Sequence, residues 1–316
     1  MFGWKKSAKS AVSAAVDPKV YSQKAIAWVK ANCLPSGGIL PHHKEKTATQ
    51  EVTGYLIPTL YEWGEKTLAL ELARWEASVQ RPDGAFTDIH DIPYTFDSAQ
   101  VVRGFLSVLH EAPELEIPLR RVCDWILTQI SPDGKINTPD LSTWAMPDGS
   151  VITDNVHVYC VMPLGEAGKR LNEPRYIEGA KRSLAYYKSR PDIARFNVLS
   201  HFFGYITEAL ADLGETDLAK KALDEVIRVQ ASDGAIPAFP GAKWVCSTGL
   251  AQVAIALAKT GHRDAAEKAL DYLERLQNPS GGFYGGYGRG AWYFPQEEIS
   301  WAVKYFLDLR KILGRP

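Results

Sequence analysis

The chain has 316 residues, 46% of them apolar, and a formal net charge of -1. It is long enough to bury a large core, and its average field draws neither nucleic acid nor an anionic membrane. No apolar run reaches the about 20 residues that span a bilayer, and the four cysteines are scattered, with no C-x-x-C pair and no zinc-ligand spacing. The expectation is a reduced, cytoplasmic protein with no nucleic-acid partner, no transmembrane segment, no metal and no cofactor.

In chain order, residues 1–18 read as an N-terminal lead, with Phe2 and Trp4 beside Lys5, Lys6 and Lys9, and residues 19–316 as one domain. Gly-centred turns at Gly37-Gly38, Gly84, Gly134, Gly234 and Gly281-Gly282 recur about 50 residues apart, and Ser189-Arg190-Pro191-Asp192 fills the slot between Gly134 and Gly234. The first helix of each unit is predicted over 21–33, 65–80, 115–129, 173–188, 215–230 and 262–277. These segments are amphipathic: Leu68, Leu72, Trp75 and Val79 share one face, as do Val122, Trp125, Ile126 and Ile130. The second helices, over 51–63, 97–110, 155–168, 201–213, 248–260 and 298–309, carry few charges and are predicted to be buried all round. Two such layers give an all-α fold, an (α/α)6 toroid of six helical hairpins. Closure spares it the exposed end repeats of the alternative, an open superhelix.

The loops are uneven. Connections such as Gly64, Gly214-Glu215 and Gly261-His262 are short, whereas the turns leading into the inner helices, 38–50, 85–96, 135–154, 235–247 and 283–297, reach lengths at which loops tend to carry function. They hold His42, His43, His90, Tyr94, Trp144, Trp244, Tyr284, Tyr287, Trp292 and Tyr293. That rim is the predicted site. The glycine-rich stretch 285–290 lacks the Lys-Ser/Thr step of a phosphate loop and reads as a mobile lid carrying Arg289.

Counting back 13 residues from Gly64, His110, Gly168, Gly214, Gly261 and Lys311 gives Glu51, Asp97, Asn155, His201, Thr248 and Glu298, all polar. Helix capping accounts for several of these, but poorly for His201. One turn further lie Tyr55, Val101, Tyr159, Tyr205, Gln252 and Ala302. A mouth of carboxylates, imidazole, amide and phenols suits a polyhydroxylated ligand, with Trp144, Trp244 and Trp292 as stacking surfaces. Asp97 and Glu298 are the predicted acid and base for a glycosidic bond. The other chemistry uses Asn155, His157, Tyr159 and His201 to abstract a proton beside a uronate carboxylate. On a regular helix His157 points about 200° away from Asn155, which leaves His201 as the base. Cys246 at a helix N-terminus reads as a small buried residue.

Gln80-x3-Gly84-x-Phe86 and Gln277-x3-Gly281-x-Phe283, with Gln230-x3-Gly234-x-Ile236 as a weaker copy, resemble the repeat of the terpenoid cyclase and protein prenyltransferase superfamily. That resemblance implies the double-ring toroid. The chain lacks an Asp-x-Asp-Asp acid and an Asp-x-Cys zinc motif. The stretches 94–100, 244–252 and 294–302 look like squalene-cyclase-like bacterial domains found with polysaccharide-building proteins. More loosely, they are similar to α/α-toroid uronate lyases, unsaturated-uronyl hydrolases and glucuronyl epimerases. The sequence reading is therefore a carbohydrate-active enzyme with a saccharide substrate. A non-catalytic saccharide- or partner-binding toroid and a terpenoid cyclase are the alternatives.

Overall fold

A computed structural model describes residues 19–138 and 154–315. The N-terminal lead and Trp144 lie outside these residues. Among them run twelve α-helices: α1 (Lys19–Ala31), α2 (Gln50–Glu62), α3 (Lys66–Val79), α4 (Thr95–Val108), α5 (Glu116–Thr128), α6 (Val161–Arg170), α7 (Pro174–Lys188), α8 (Ser200–Asp212), α9 (Thr216–Val229), α10 (Ser247–Lys259), α11 (Arg263–Leu276) and α12 (Ser300–Ile312). Odd-numbered helices bury a single stripe, as α9 does with Ala219, Ala222, Leu223 and Val226. Even-numbered helices are far more covered, apart from the short α6, which exposes Glu166, Lys169 and Arg170; α10 is buried without a break from Ser247 to Leu257. The even helices therefore form an inner ring and the odd ones an outer ring.

The inner ring closes on itself. Thr59 Oγ1 on α2 donates to Asp308 Oδ1 on α12 at 2.7 Å, and Lys311 Nζ donates to the Glu62 carbonyl at 2.9 Å. The fold is an (α/α)6 toroid and not an open superhelix.

The repeated glutamine and glycine explain why the hairpins stack. Gln80 Nε2 donates to the Gly84 carbonyl in its own turn and to Pro118 O at the start of the next outer helix, at 3.0 and 2.9 Å. Gln230 bridges Gly234 and Ala265 in the same way. Gln277 bridges Gly281 and Tyr21 at 3.1 and 3.0 Å, which ties the last outer helix to the first. The motif glycine is needed for close approach: a Cβ on Gly84 would lie 2.4 Å from Arg121 O, and one on Gly281 2.2 Å from Lys24 O. The aromatic after it is core, since Phe86 and Phe283 are fully buried, each stabilising the fold by roughly 1.5–3 kcal/mol.

Two predicted elements differ. The segment expected to open an inner helix at Asn155 is a 3-10 helix, Asp154–Cys160, and α6 starts only at Val161. The expected lid is held as a strand: β2 (Gly286–Gly288) pairs antiparallel with β1 (Trp244–Cys246). Tyr287 anchors it, accepting from Tyr284 N–H at 2.8 Å and donating to Leu276 O at 3.0 Å.

Candidate active site

The axial residues follow from how the inner helices end. Gly64, Gly214, Gly261 and Gly314 follow α2, α8, α10 and α12 with φ of 89°, 80°, 92° and 70°, the left-handed closing position that glycine fills without strain. Asn172 takes the same role after α6 with φ 51°. Counting back from Gly314 in place of Lys311 gives Trp301, and from Asn172 in place of Gly168 gives Tyr159. On α4 the register comes from the start, because Ile39 N–H donates to Thr53 Oγ1 and Phe86 N–H to Ser98 Oγ. Thr53 and Ser98 are thus equivalent, and so are Glu51 and Phe96, with Asp97 one residue further. The axial ring is Glu51, Phe96, Tyr159, His201, Thr248 and Trp301.

Four of these open onto a cavity of about 390 Å³ at the N-terminal ends of the inner helices, lined by Glu51, Phe96, Asp97, His201 and Trp301, within the roughly 300–1,000 Å³ usual for small-molecule sites. Tyr94, Phe202, Tyr205, Tyr293 and Phe294 supply aromatic walls, and His42, Asp88 and His90 the polar mouth. Trp301 is fixed by its Nε1–H, which donates to Tyr293 Oη at 2.9 Å. Among the described residues no Lys or Arg lines this cavity. Burial raises the Glu51 carboxyl to about 7. Asp97 is held well above the usual carboxylate range by burial and then by the charges of Glu51 and Asp88. Two carboxyls crowded together without a cation favour sharing one proton.

His201 is only 4% exposed, and its Nδ1 lies 2.6 Å from Gln252 Oε1. A carbonyl oxygen only accepts, so Nδ1 carries the proton and Nε2 is left as an acceptor. Burial keeps the ring neutral, lowering its pKa to about 3 against the Gln252 hydrogen bond that opposes this. The contact depends on close packing of α8 and α10. A Cβ on Gly204 would meet Gln252 Cβ at 2.6 Å, and one on Gly249 would meet His201 N at 2.5 Å. Among the described residues no His, Cys, Asp and Glu side chains group as a metal site.

No family model and no curated protein matches the chain. Solved structures do. An unsaturated glucuronyl hydrolase specific for heparin superposes with a TM-score of 0.70 at 15% identity, covering 94% of this chain and 96% of the other. An alpha-amylase from Clostridium perfringens gives 0.71 at 12%, covering 92% and 97%. A type II terpene cyclase from Scytonema gives 0.63 at 12%, covering 95% and 97%. All share the α/α-toroid fold. At these identities the likeness is one of fold.

The other sequence-predicted residues lie elsewhere. Glu298 is two residues before α12 and outside the cavity. Its Oε2 accepts from Trp28 Nε1 at 2.7 Å, and its Oε1 from Asn278 Nδ2 and Ser280 Oγ at 2.7 and 2.6 Å. It braces a turn and is not paired with Asp97. Tyr55 and Tyr159 line a second cavity of about 680 Å³ at the opposite end of the axis, so three phenols do not share one funnel. Asn155 and His157 are buried in the 3-10 segment and line neither cavity. His157 Nδ1 lies 3.1 Å from Asp154 O, and burial lowers its pKa to about 4. Trp244 and Trp292 pack edge to face at 5.6 Å beside the ribbon and offer no stacking floor in the cavity. Arg289 is exposed beyond β2, and Tyr287 is used in anchoring that strand. Gln252 acts on the cavity only through His201. Burial raises the Cys246 thiol to about 12 despite hydrogen bonds from Gly249, Thr248 and Ser200, so it holds no thiolate. Phe96 and Trp301 were missed as cavity residues, whereas Tyr293, named with the rim loops, does line it. Gly314 was the available signal for Trp301.

Proposed function

We propose that the chain is a carbohydrate-active enzyme whose acid/base pair is Glu51 and Asp97, working on a saccharide bound in the aromatic-walled cavity. The observation that carries this reading is the pair itself: two carboxyls on adjacent inner helices, without a cation, beside rings that accept the faces of a sugar. Asp97, held well above the usual carboxylate range by burial and then by the charges of Glu51 and Asp88, serves as the general acid toward the leaving oxygen. Glu51 is ionised above about 7 and serves as the base for water. His201 Nε2, neutral and unprotonated, accepts from a substrate hydroxyl or from that water. The carbohydrate enzymes among the structural neighbours support this substrate class by analogy of fold.

One observation favours a second reading. A protonated Asp97 flanked by Phe96, Tyr205 and Trp301 is also the equipment to protonate an alkene and stabilise a carbocation against aromatic faces. The ionisable mouth of Glu51, Asp88, His42 and His90 argues for hydroxyl-rich ligands instead.

The test is incubation with neutral oligosaccharides, uronate oligosaccharides, unsaturated uronyl disaccharides and a polyprenyl substrate, with products read by mass spectrometry. Turnover of a saccharide that rises with pH through about 7 and is lost in Asp97→Asn and Glu51→Gln supports the proposal. Saccharide binding by calorimetry without turnover would make the chain a binding module. Turnover of the polyprenyl substrate alone would establish the cyclase reading.

A further inference from the structure

Four side chains connect the two ends of the axis. Gln252 sits between them, its Oε1 2.6 Å from His201 Nδ1 and its Nε2 donating to Glu208 Oε2 at 3.5 Å. Glu208 belongs to the opposite cavity. Its Oε1 accepts from Lys259 Nζ at 3.2 Å, and its Oε2 also accepts from Tyr159 Oη at 3.3 Å. Tyr159 in turn carries the Arg103 guanidinium 4.0 Å above its ring. Apart from His201, none of these groups has a part in the acid/base chemistry proposed above.

We infer that Glu208 and Gln252 are positioning residues: the carboxylate orients the carboxamide, and the carboxamide fixes His201 as a proton acceptor in the opposite cavity. This deepens the proposed function and rests on it only for the role of His201. A carboxamide between a carboxylate and an imidazole has two orientations. In the one present, the NH2 faces the negative charge and the carbonyl faces the ring, which must then hold its proton on Nδ1. In the flipped one, the carbonyl faces the carboxylate, an electrostatic clash in a low-dielectric interior. The NH2 would then face Nδ1 and move the ring proton to Nε2, turning the acceptor into a donor. The orientation depends on Glu208 being ionised. Burial opposes ionisation, but Lys259, Lys304 and Arg103 together bring its pKa below the usual value. Substrate contact at His201 is therefore specified as a hydroxyl or water that donates. The rings of Phe202, Tyr205, Tyr293 and Tyr305 lie within 6.4 Å of it, centroid to centroid, and the Lys304 charge also disfavours the protonated ring.

The experiment is 15N NMR of the full chain with labelled histidine, which separates protonated from unprotonated ring nitrogens and needs no substrate. The expected wild-type signal for His201 has Nδ1 protonated and Nε2 bare. In Glu208→Gln the Nε2-protonated form is expected to rise at least tenfold. Gln252→Met, which leaves the ion pairs untouched, is expected to produce the same shift, and it keeps the test valid if Glu208→Gln fails to fold. Wild-type His201 protonated on Nε2, or a tautomer unchanged in both variants, overturns the inference. The expected tautomer shifts together with unaltered saccharide handling by His201→Asn would uphold the positioning network and sink the proposed function at that residue. Loss of turnover in Asp97→Asn with an insensitive tautomer would do the reverse.

Discussion

The two mouths of the toroid are built from similar residues and wired in opposite ways. At the C-terminal ends of the inner helices, carboxylates meet cations: the exposed Lys259 Nζ lies 3.2 Å from buried Glu208 and 2.6 Å from half-buried Asp212, and the buried Lys304 Nζ lies 2.8 Å from half-buried Asp308. At the N-terminal ends, Glu51 and Asp97 share a cavity with aromatic rings and neutral His201, and no Lys or Arg among the described residues lines it. Paired charges hold a fold together at little net gain, and removing one partner is costly. Unpaired, mutually raised carboxyls cost stability and are typical of sites that move protons. On the proposed function, the smaller cavity is the place for chemistry and the larger one is structural support that also orients Gln252.

The largest expected effect tests that division directly. Asp97→Asn removes the proposed acid and is expected to lower kcat by about 10²–10⁴-fold, with ligand affinity by calorimetry within a few-fold of wild type. Asp212→Asn, at the other mouth, is expected to keep kcat within about threefold while lowering the denaturation midpoint. Equal effects on turnover would erase the distinction between the two ends.

Next in size is the structural mouth. Asp308→Asn leaves the buried Lys304 ammonium without its ion-pair partner, while the remaining side-chain oxygen can still accept from Thr59 Oγ1. A loss of about 3 kcal/mol is expected in urea denaturation. No loss would mean that Glu208 and the Tyr305 ring, 3.7 Å from Lys304 Nζ, already compensate the charge.

The sequence contained most of the fold and about half of the cavity, for different reasons. The Gln-x3-Gly-x-aromatic repeat can be read because each member has a fixed job: the glutamine bridges to the next hairpin, the glycine permits close approach and the aromatic fills the core. The ring positions depended on phase. Where a glycine closes the helix, at Gly64, Gly214 and Gly261, counting back found residues at the axis, including Glu51 and His201. Where Lys311 was taken for the end, the count stopped three residues short of Gly314 and selected Glu298 over Trp301. The 3-10 segment at 154–160 shifted the frame by four residues and hid the axial place of Tyr159. Tyr293 and Phe294 come from a loop without repeat phase, and only the folded chain brings them to the cavity.

A third prediction separates the site carboxyl from the buried histidines by the sign of their pH dependence. Glu51 has its folded pKa raised from 4.5 to about 7, so the folded state binds the proton more tightly than the unfolded chain. Its contribution is fully present below pH 4.5 and is lost as pH rises through 7, at up to about 3 kcal/mol. Glu51→Gln is expected to abolish this decline and to be more stable than wild type at pH 8. His157 and His201, with pKa values lowered to about 4 and about 3, act oppositely and destabilise the fold as pH falls below 6.5. That acid limb should persist in the variant. Thermal unfolding across pH 4 to 8 reads both, and a wild-type curve without a decline above pH 4.5 would show that Glu51 is well solvated.

The smallest expected effect concerns the carboxylate that counting misplaced. Glu298 accepts three hydrogen bonds, from Trp28, Asn278 and Ser280, and so works as a brace between the first outer helix and the last turn. In Glu298→Gln one oxygen becomes an NH2. Turned toward Trp28, the NH2 sets two donors against each other; turned toward Asn278 and Ser280, it forces the Asn278 carboxamide to flip and the Ser280 hydroxyl to change from donor to acceptor. The cost is about 1–3 kcal/mol, read as a lower denaturation midpoint, with kcat within about twofold of wild type. A turnover loss comparable to that of Asp97→Asn would place Glu298 in the chemistry after all, and the contrast between a braced carboxylate and an unpaired one would no longer identify the site.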